Sequence, residues 1–253
     1  MLYRYNRTIR TPVDLDGAYS GGCILAGGSP TLAQEDLRSV EQPGVMVMSM
    51  NNTALTIQSD FWVGADKPLC YSEVILRDPK LMKFMMISRK NFELDPGLRL
   101  KDLPNMYFFG AHENFTVNNL LKADRDYVWW KNTFFVAIQL LYRLGFRQIY
   151  LAGCQFKIGV DKPYSYDVKL TDGEVKWNQK LYGYTVSQMK QLKPHFEEKG
   201  LQVYSCTPDS PLNDIYPTMS FDEAVNSMRL EMPNNLDKCV HSSFFKREVT
   251  TNG

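Results

Sequence analysis

The stretch Thr133–Ala152, "TFFVAIQLLYRLGFRQIYLA", constrains this chain more than any other. Apolar residues recur at helical spacing over residues 133–144, and Gly145 follows as a helix C-cap. Residues 148–152 then read as a buried strand. A helix that feeds directly into an apolar strand is half of a parallel β-α-β unit. The rest of the chain repeats the alternation. Residues 23–26, 45–50 ("VMVMSM"), 61–63, 81–87, 106–109 and 201–206 ("LQVYSC") read as strands. Residues 181–199, stopped by Gly200, and 221–229 read as helices, and the polar stretch after Thr31 reads as helical. The expectation is an α/β, Rossmann-like fold: a mostly parallel sheet, helices on both faces, and a lid-like insertion over residues 157–180 within one nucleotide-binding domain spanning 1–253.

In such sheets ligands bind beyond the carboxyl ends of the strands. The loops there are polar. Residues 27–29 form a Gly-Gly-Ser turn whose backbone N–H groups suit a phosphate. Asn51-Asn52-Thr53, Asp66-Lys67, Gln155 to Lys157, and Asp209-Ser210 end four further strands, and their amides and carboxylates suit a base or ribose. Each loop alone has a plainer reading, because Asn and Asp are common turn formers. The glycines match neither G-x-G-x-x-G nor the Walker pattern. Residues 159–178, with Gly159 and Gly173, read as a lid or as a surface loop. Trp129-Trp130 reads as core or lid packing, or as a stacking platform. His195 and residues 190–199 read as a solvated helix face.

Composition narrows the function classes. A formal net charge of +1 with 23% charged residues argues against a broad nucleic-acid surface. Residues 1–10 are polar and basic, unlike a signal peptide, and no apolar run approaches the ~20 residues of a membrane span. Five scattered cysteines, among them Cys239, suggest reduced thiols in a cytoplasmic compartment. Three scattered histidines make a histidine-based metal site an unfavoured expectation.

Three segments in order carry a resemblance. "LAGGSPTLAQEDL" resembles the "GNGPSL" loop of bacterial lipooligosaccharide sialyltransferases and of the related archaeal-type 6-hydroxymethylpterin diphosphokinases. "FFVAIQLLYRLGFRQIYLAGCQF" is similar to the helix–Gly–strand–Gly-x-Asp-Phe segment of both groups. "VYSCTPDSPLNDI" resembles the "LYxLCPNSxL" segment of the sialyltransferases. The resemblance implies that Gly27, Gly28, Ser29 and Thr31 approach a nucleotide, with Pro30 completing the loop. It implies nucleotide contacts for Asn51, Asp66, Thr133 and Gly153, and for Asp209 and Ser210 facing the base. Tyr164 matches one of two tyrosines that bind the departing phosphate, and Lys157 stands in place of the other. Gly28 and Ser29 replace an Asn and a Gly, and Gln155 replaces an Asp. The family's histidine base has no counterpart in Leu181-Tyr182-Gly183-Tyr184.

The function expected from these features is a nucleotide-binding transferase, in particular a glycosyltransferase that uses a nucleotide sugar and needs no metal. Its acceptor and oligomeric state are left open. Asp167, Asp172, Glu174 and His112 are the candidate bases, and Asp167, Tyr164 and Lys157 the catalytic set. The lysine suggests a nucleoside diphosphate leaving group. Two alternatives are a Mg²⁺-dependent diphosphokinase acting from ATP and a nucleotide sensor without catalysis.

Overall fold

A computed structural model describes residues 1–6, 8–112, 120–121, 127–128, 132–159 and 162–230. Trp129, Trp130, Cys239 and the His112 side chain lie outside the described residues. The frame is a nine-stranded sheet ordered β9-β8-β3-β4-β5-β6-β7-β1-β2. Its strands are β1 (Leu2–Asn6), β2 (Ile9–Val13), β3 (Gly22–Ala26), β4 (Val47–Met50), β5 (Phe61–Gly64), β6 (Met82–Met86), β7 (Met106–Phe109), β8 (Gln148–Ala152) and β9 (Gln202–Ser205). The seven strands from β9 to β7 run parallel. Only β1 breaks the pattern, pairing antiparallel with both β7 and β2.

Strands buried on both faces read as unbroken apolar runs, and that is how the central ones appear. Alternate residues still divide between two cores. Cys23 and Leu25 of β3, Met48 of β4 and Val63 of β5 pack with helices α2 (Thr133–Leu144) and α3 (Asp172–Glu198). Ile24, Ala26 and Val47 point the other way, against α4 (Phe221–Leu230). Trp62 and Met85 face that same side, under the short helix α1 (Glu73–Arg77). Each fully buried Phe or Leu of these layers contributes about 1.5–3 kcal/mol.

Helix α2 is buried almost all round because it lies between the sheet and α3. Asn132 caps it, accepting from the Phe134 N–H at 2.9 Å, and Gly145 ends it at φ 112°. A side chain at Gly145 would collide with the Tyr19 carbonyl, so glycine is required there.

The expected α/β fold with a mostly parallel sheet and helices on both faces is what forms, with three differences. The N-terminal hairpin β1–β2, which lengthens the sheet, was not expected. The polar stretch after Thr31 forms two short 3-10 turns, Pro30–Gln34 and Leu37–Glu41, rather than a helix. Helix α3 begins at Asp172, because Thr171 and Glu174 form a reciprocal capping box. The second half of the expected 157–180 lid is therefore helix. Among the described residues no helix is long and apolar enough to cross a membrane, and the four cysteines found there are free thiols.

Candidate functional site

Strand order reverses between β3 and β8: β3 leads to β4 on one side and β8 to β9 on the other. Loops leaving these two strands diverge, and a crevice opens at that point. A cavity of about 480 Å³ occupies it, a size typical of small-ligand sites.

The two diverging loops are tied at their roots. The Gly27 N–H donates to the Ala152 carbonyl at 2.8 Å, and the Ser29 N–H to the Gly153 carbonyl at 2.9 Å. Neither glycine tolerates a Cβ. At Gly27 it would lie 2.6 Å from the Gly153 oxygen, and Gly153 sits at φ +61° with its own Cβ aimed at the Gly27 oxygen. These contacts correct the expectation of a three-amide phosphate cradle. The N–H groups of Gly27 and Ser29 are spent on β8, and the Gly28 N–H alone of the three has no hydrogen-bond partner among the described residues.

Gly28 lies beneath a strap, residues 163–166. The Ser165 N–H donates to the Gly28 carbonyl at 2.8 Å, and the Ser165 and Thr56 hydroxyls are 3.0 Å apart. Tyr164 and Tyr166 stack at 5.2 Å with planes 5° apart, and both rings border the space a Gly28 Cβ would fill. The Tyr164 hydroxyl accepts from Asn178 Nδ2 at 3.2 Å and from the Tyr182 hydroxyl at 3.3 Å. With two donors on its oxygen, the hydroxyl keeps its own proton for a further acceptor, and Tyr164 lines the cavity. Burial raises the Tyr164 pKa, with the Tyr182 hydrogen bond opposing. Burial, then the neighbouring Tyr164, raises those of Tyr166 and Tyr182 well above the usual phenol range. These phenols are donors at neutral pH, not bases.

Asn51 follows β4 in the left-handed region, at φ 54°. Its carbonyl accepts from Trp62 Nε1 at 2.6 Å, while its side-chain Oδ1 is buried with no partner. An unpaired buried acceptor costs about 1–3 kcal/mol unless a ligand satisfies it. Asp66 follows β5 at the cavity wall. Surrounding protein raises its carboxyl pKa and Arg89 pulls it back down; its side chain is open to solvent, which screens both effects. Thr133 is the first residue of α2, whose N-terminus faces the cavity. The helix dipole there favours an anion by roughly 0.3–1 kcal/mol. Lys157, exposed at the wall, is the one cationic side chain lining the cavity among the described residues.

Four expected residues do not line it. Thr31 is turned to the Ser29 hydroxyl, 2.5 Å away. Asp167 is exposed outside the lining. Asp209 sits at φ 55° in an exposed turn. Ser210 is a cap: its hydroxyl donates to the Cys154 carbonyl at 2.9 Å and accepts from the Leu212 N–H at 3.3 Å. The β9 end instead borders a separate groove with Glu35 and Glu223. Of the other candidate bases, Asp172 lies in the first turn of α3 outside the lining, and Glu174 lines the cavity but is held below the usual carboxylate range by its Thr171 hydrogen bonds.

Sequence reasoning missed Tyr166, Trp177, Asn178 and Tyr182. For the last three the signal was present in Thr171-x-x-Glu174, which starts α3 early and turns residues 174, 177, 178, 181 and 182 to one side; Tyr166, in the strap before the helix, had no such signal.

No family model matches the chain, and no curated protein matches it. Two solved structures resemble it. The MAf glycosyltransferase from Magnetospirillum magneticum AMB-1 superposes with a TM-score of 0.50 and 14% identity, over 90% of this chain and 37% of its own. This chain thus spans little more than a third of that transferase. The monofunctional alpha-2,3-sialyltransferase Cst-I from Campylobacter jejuni superposes at 0.38 and 15%, over 90% of this chain and 94% of its own. The diphosphokinase resemblance finds no support in either. At these identities the likeness speaks for the fold alone, an α/β fold with a mostly parallel sheet.

Proposed function

We propose that the chain is a glycosyltransferase that binds a nucleotide sugar in the cavity between β3 and β8. The observation that carries this reading is the Tyr164 hydroxyl. Two donors fill its lone pairs, so it presents a fixed proton to charge developing on a leaving phosphate. The α2 N-terminus and the Lys157 ammonium supply further positive potential on the same cavity wall. Asn51 Oδ1 offers the unfilled acceptor for a base or ribose donor. The acceptor hydroxyl oxygen attacks the anomeric carbon, the bond from that carbon to the phosphate oxygen breaks, and the nucleotide departs. The hydroxyl proton passes to a carboxylate. Asp66 suits that role better than Asp167, which is outside the cavity, or Glu174, which is engaged in capping. Leaving-group charge is met by protein donors, which supports a route without an essential metal.

A thermal-shift panel with CMP, UDP, GDP, ATP with and without Mg²⁺, and nucleotide sugars tests the reading. A nucleotide at a hundredfold excess over Kd stabilises by about 2.7 kcal/mol, roughly 5–10 °C for a chain of this size. A nucleotide sugar should both stabilise the protein and be consumed. Stabilisation without consumption would favour a sensor, and no stabilisation by any nucleotide would overturn the proposal.

A further inference from the structure

The N-terminal half of α3 turns one stripe to the cavity: Gly173, Glu174, Trp177, Asn178, Leu181 and Tyr182. Their spacing is that of a single helix face. The stripe runs from open to closed. Gly173, Glu174 and Trp177 are exposed, the next three are half-buried, and Thr185 one turn on is fully buried. Asn178 and Tyr182 are occupied with Tyr164 at depth. Trp177 stands at the outer level, 55% exposed. Among the described residues its ring meets no other aromatic and its indole N–H has no acceptor.

A single exposed aromatic is ordinary on a surface. This one is part of a cavity wall, and the space beside it is kept clear. A helical side chain leans toward the turn before its own Cα, and Trp177 borders the same stretch of cavity wall as Gly173 and Glu174. There a Cβ on Gly173 would meet nothing nearer than Thr171 Oγ1 at 3.9 Å. Next to it, Glu174 Oε2 accepts from the Thr171 N–H and hydroxyl, both at 2.8 Å. Oε1 is left to accept from a ligand.

A flat apolar ring with an open face, one turn from a carboxylate oxygen, matches the two-sided chemistry of a pyranose. The C–H face of the sugar packs on the indole, and a ring hydroxyl donates to Glu174. The charged groups on the cavity wall are Glu174, Asp66 and Lys157. Two carboxylates against one ammonium, with the ammonium suited to the leaving phosphate, disfavour an anionic acceptor. From this we infer that Trp177, Glu174 and the gap at Gly173 form the acceptor subsite, and that it takes a neutral saccharide. The inference rests on the glycosyl-transfer reading above.

The test measures saccharide and nucleotide binding separately. Saturation-transfer NMR reads methyl β-glucoside, methyl β-galactoside, cellobiose, glucuronic acid and a serine-rich peptide against the parent, Trp177→Ala, Trp177→Phe and Gly173→Leu. Calorimetry reads UDP and CMP against the same proteins. At least one neutral saccharide should bind the parent, weaken fivefold or more in Trp177→Ala and Gly173→Leu, and persist in Trp177→Phe. Nucleotide affinity should stay within twofold throughout. Gly173→Leu separates blockage from misfolding, because leucine favours the helix that glycine weakens. Saccharide binding that survives Trp177→Ala would overturn the inference. So would glucuronic acid or the peptide binding better than every neutral saccharide. No saccharide binding, or a nucleotide affinity that falls with Trp177→Ala, would place the ring against a base instead and also overturn it. If no nucleotide sugar is turned over yet saccharide binding depends on Trp177, the transfer reading fails and the saccharide site stands.

Discussion

Replacing Gly28 by valine separates the strap from the core. Gly28 is not in the left-handed region, so its backbone accepts a branched residue. Its Cβ, however, would lie 3.1 Å from Tyr166 Cε1, 3.3 Å from Tyr164 Cδ1 and 3.3 Å from Thr53 Oγ1. The added methyl groups have no room, and the strap is the part that can yield. Lifting it breaks the 2.8 Å Ser165–Gly28 hydrogen bond and the 3.0 Å Thr56–Ser165 contact. Each is worth about 0.5–1.5 kcal/mol, so stability should fall by only about 1–3 kcal/mol. The same movement withdraws the Tyr164 hydroxyl. Losing a hydrogen bond to a charged phosphate costs about 1.5–3 kcal/mol, roughly a ten- to hundredfold loss of nucleotide affinity. Urea unfolding and calorimetric titration with UDP on one preparation measure both. Gly27→Ala is the contrast. Its Cβ meets the Gly153 oxygen at 2.6 Å and Cys154 Sγ at 2.8 Å, both in the rigid root, so stability should fall further, to the upper end of the about 1–3 kcal/mol that overpacking costs or beyond it. A Gly28→Val protein that binds UDP as tightly as the parent would refute the reasoning.

Asn51→Gly keeps the φ of 54° and removes the unpaired amide; nucleotide affinity should drop by about 1–3 kcal/mol in calorimetry with little change in stability. Lys157→Ala should weaken UDP more than CMP, and the difference should shrink at high salt; equal small losses would make the lysine a surface group. Lys83 is fully buried in β6, its ammonium donates to the Asp78 and Leu81 carbonyls, and burial lowers its pKa to about 8. Between pH 8 and the ordinary lysine value near 10.5, the unfolded chain binds the proton that the folded chain has lost, so stability should rise with pH there. Against a Lys83→Met reference, urea unfolding should show the parent gaining about 3 kcal/mol across that window, and a flat difference would refute the shift.

The central strands and α2 were legible because burial on both faces leaves long apolar runs, and because Gly145 marks the helix end. Hairpin β1–β2 was not legible: β2 is an exposed edge strand, β1 is only partly buried beyond Leu2, and polar and basic residues run through both. The early start of α3 was hidden by Gly173 and dense charge, although Thr171 and Glu174 announce it. Strand-end position was enough to bring Asn51, Asp66 and Lys157 to the cavity wall. It failed for Asp209 and Ser210, where a turn and a cap use the same residue types for local hydrogen bonds. The stripe from Glu174 to Asn178 was out of reach once residues 159–178 were read as a loop, since a loop has no periodic face.

The most direct test of the account is nucleotide release from whichever nucleotide sugar stabilises the protein, compared in single turnover between the parent and Tyr164→Phe. The phenylalanine keeps the stack on Tyr166 and removes the hydroxyl, both the proton it donates and the oxygen that accepts from Asn178 and Tyr182. The account predicts that the variant still binds the donor but releases nucleotide roughly a hundred- to a thousandfold more slowly, the loss expected for one donor at a developing oxyanion. Equal release rates in the two proteins, or no release from any nucleotide sugar by the parent, would contradict it.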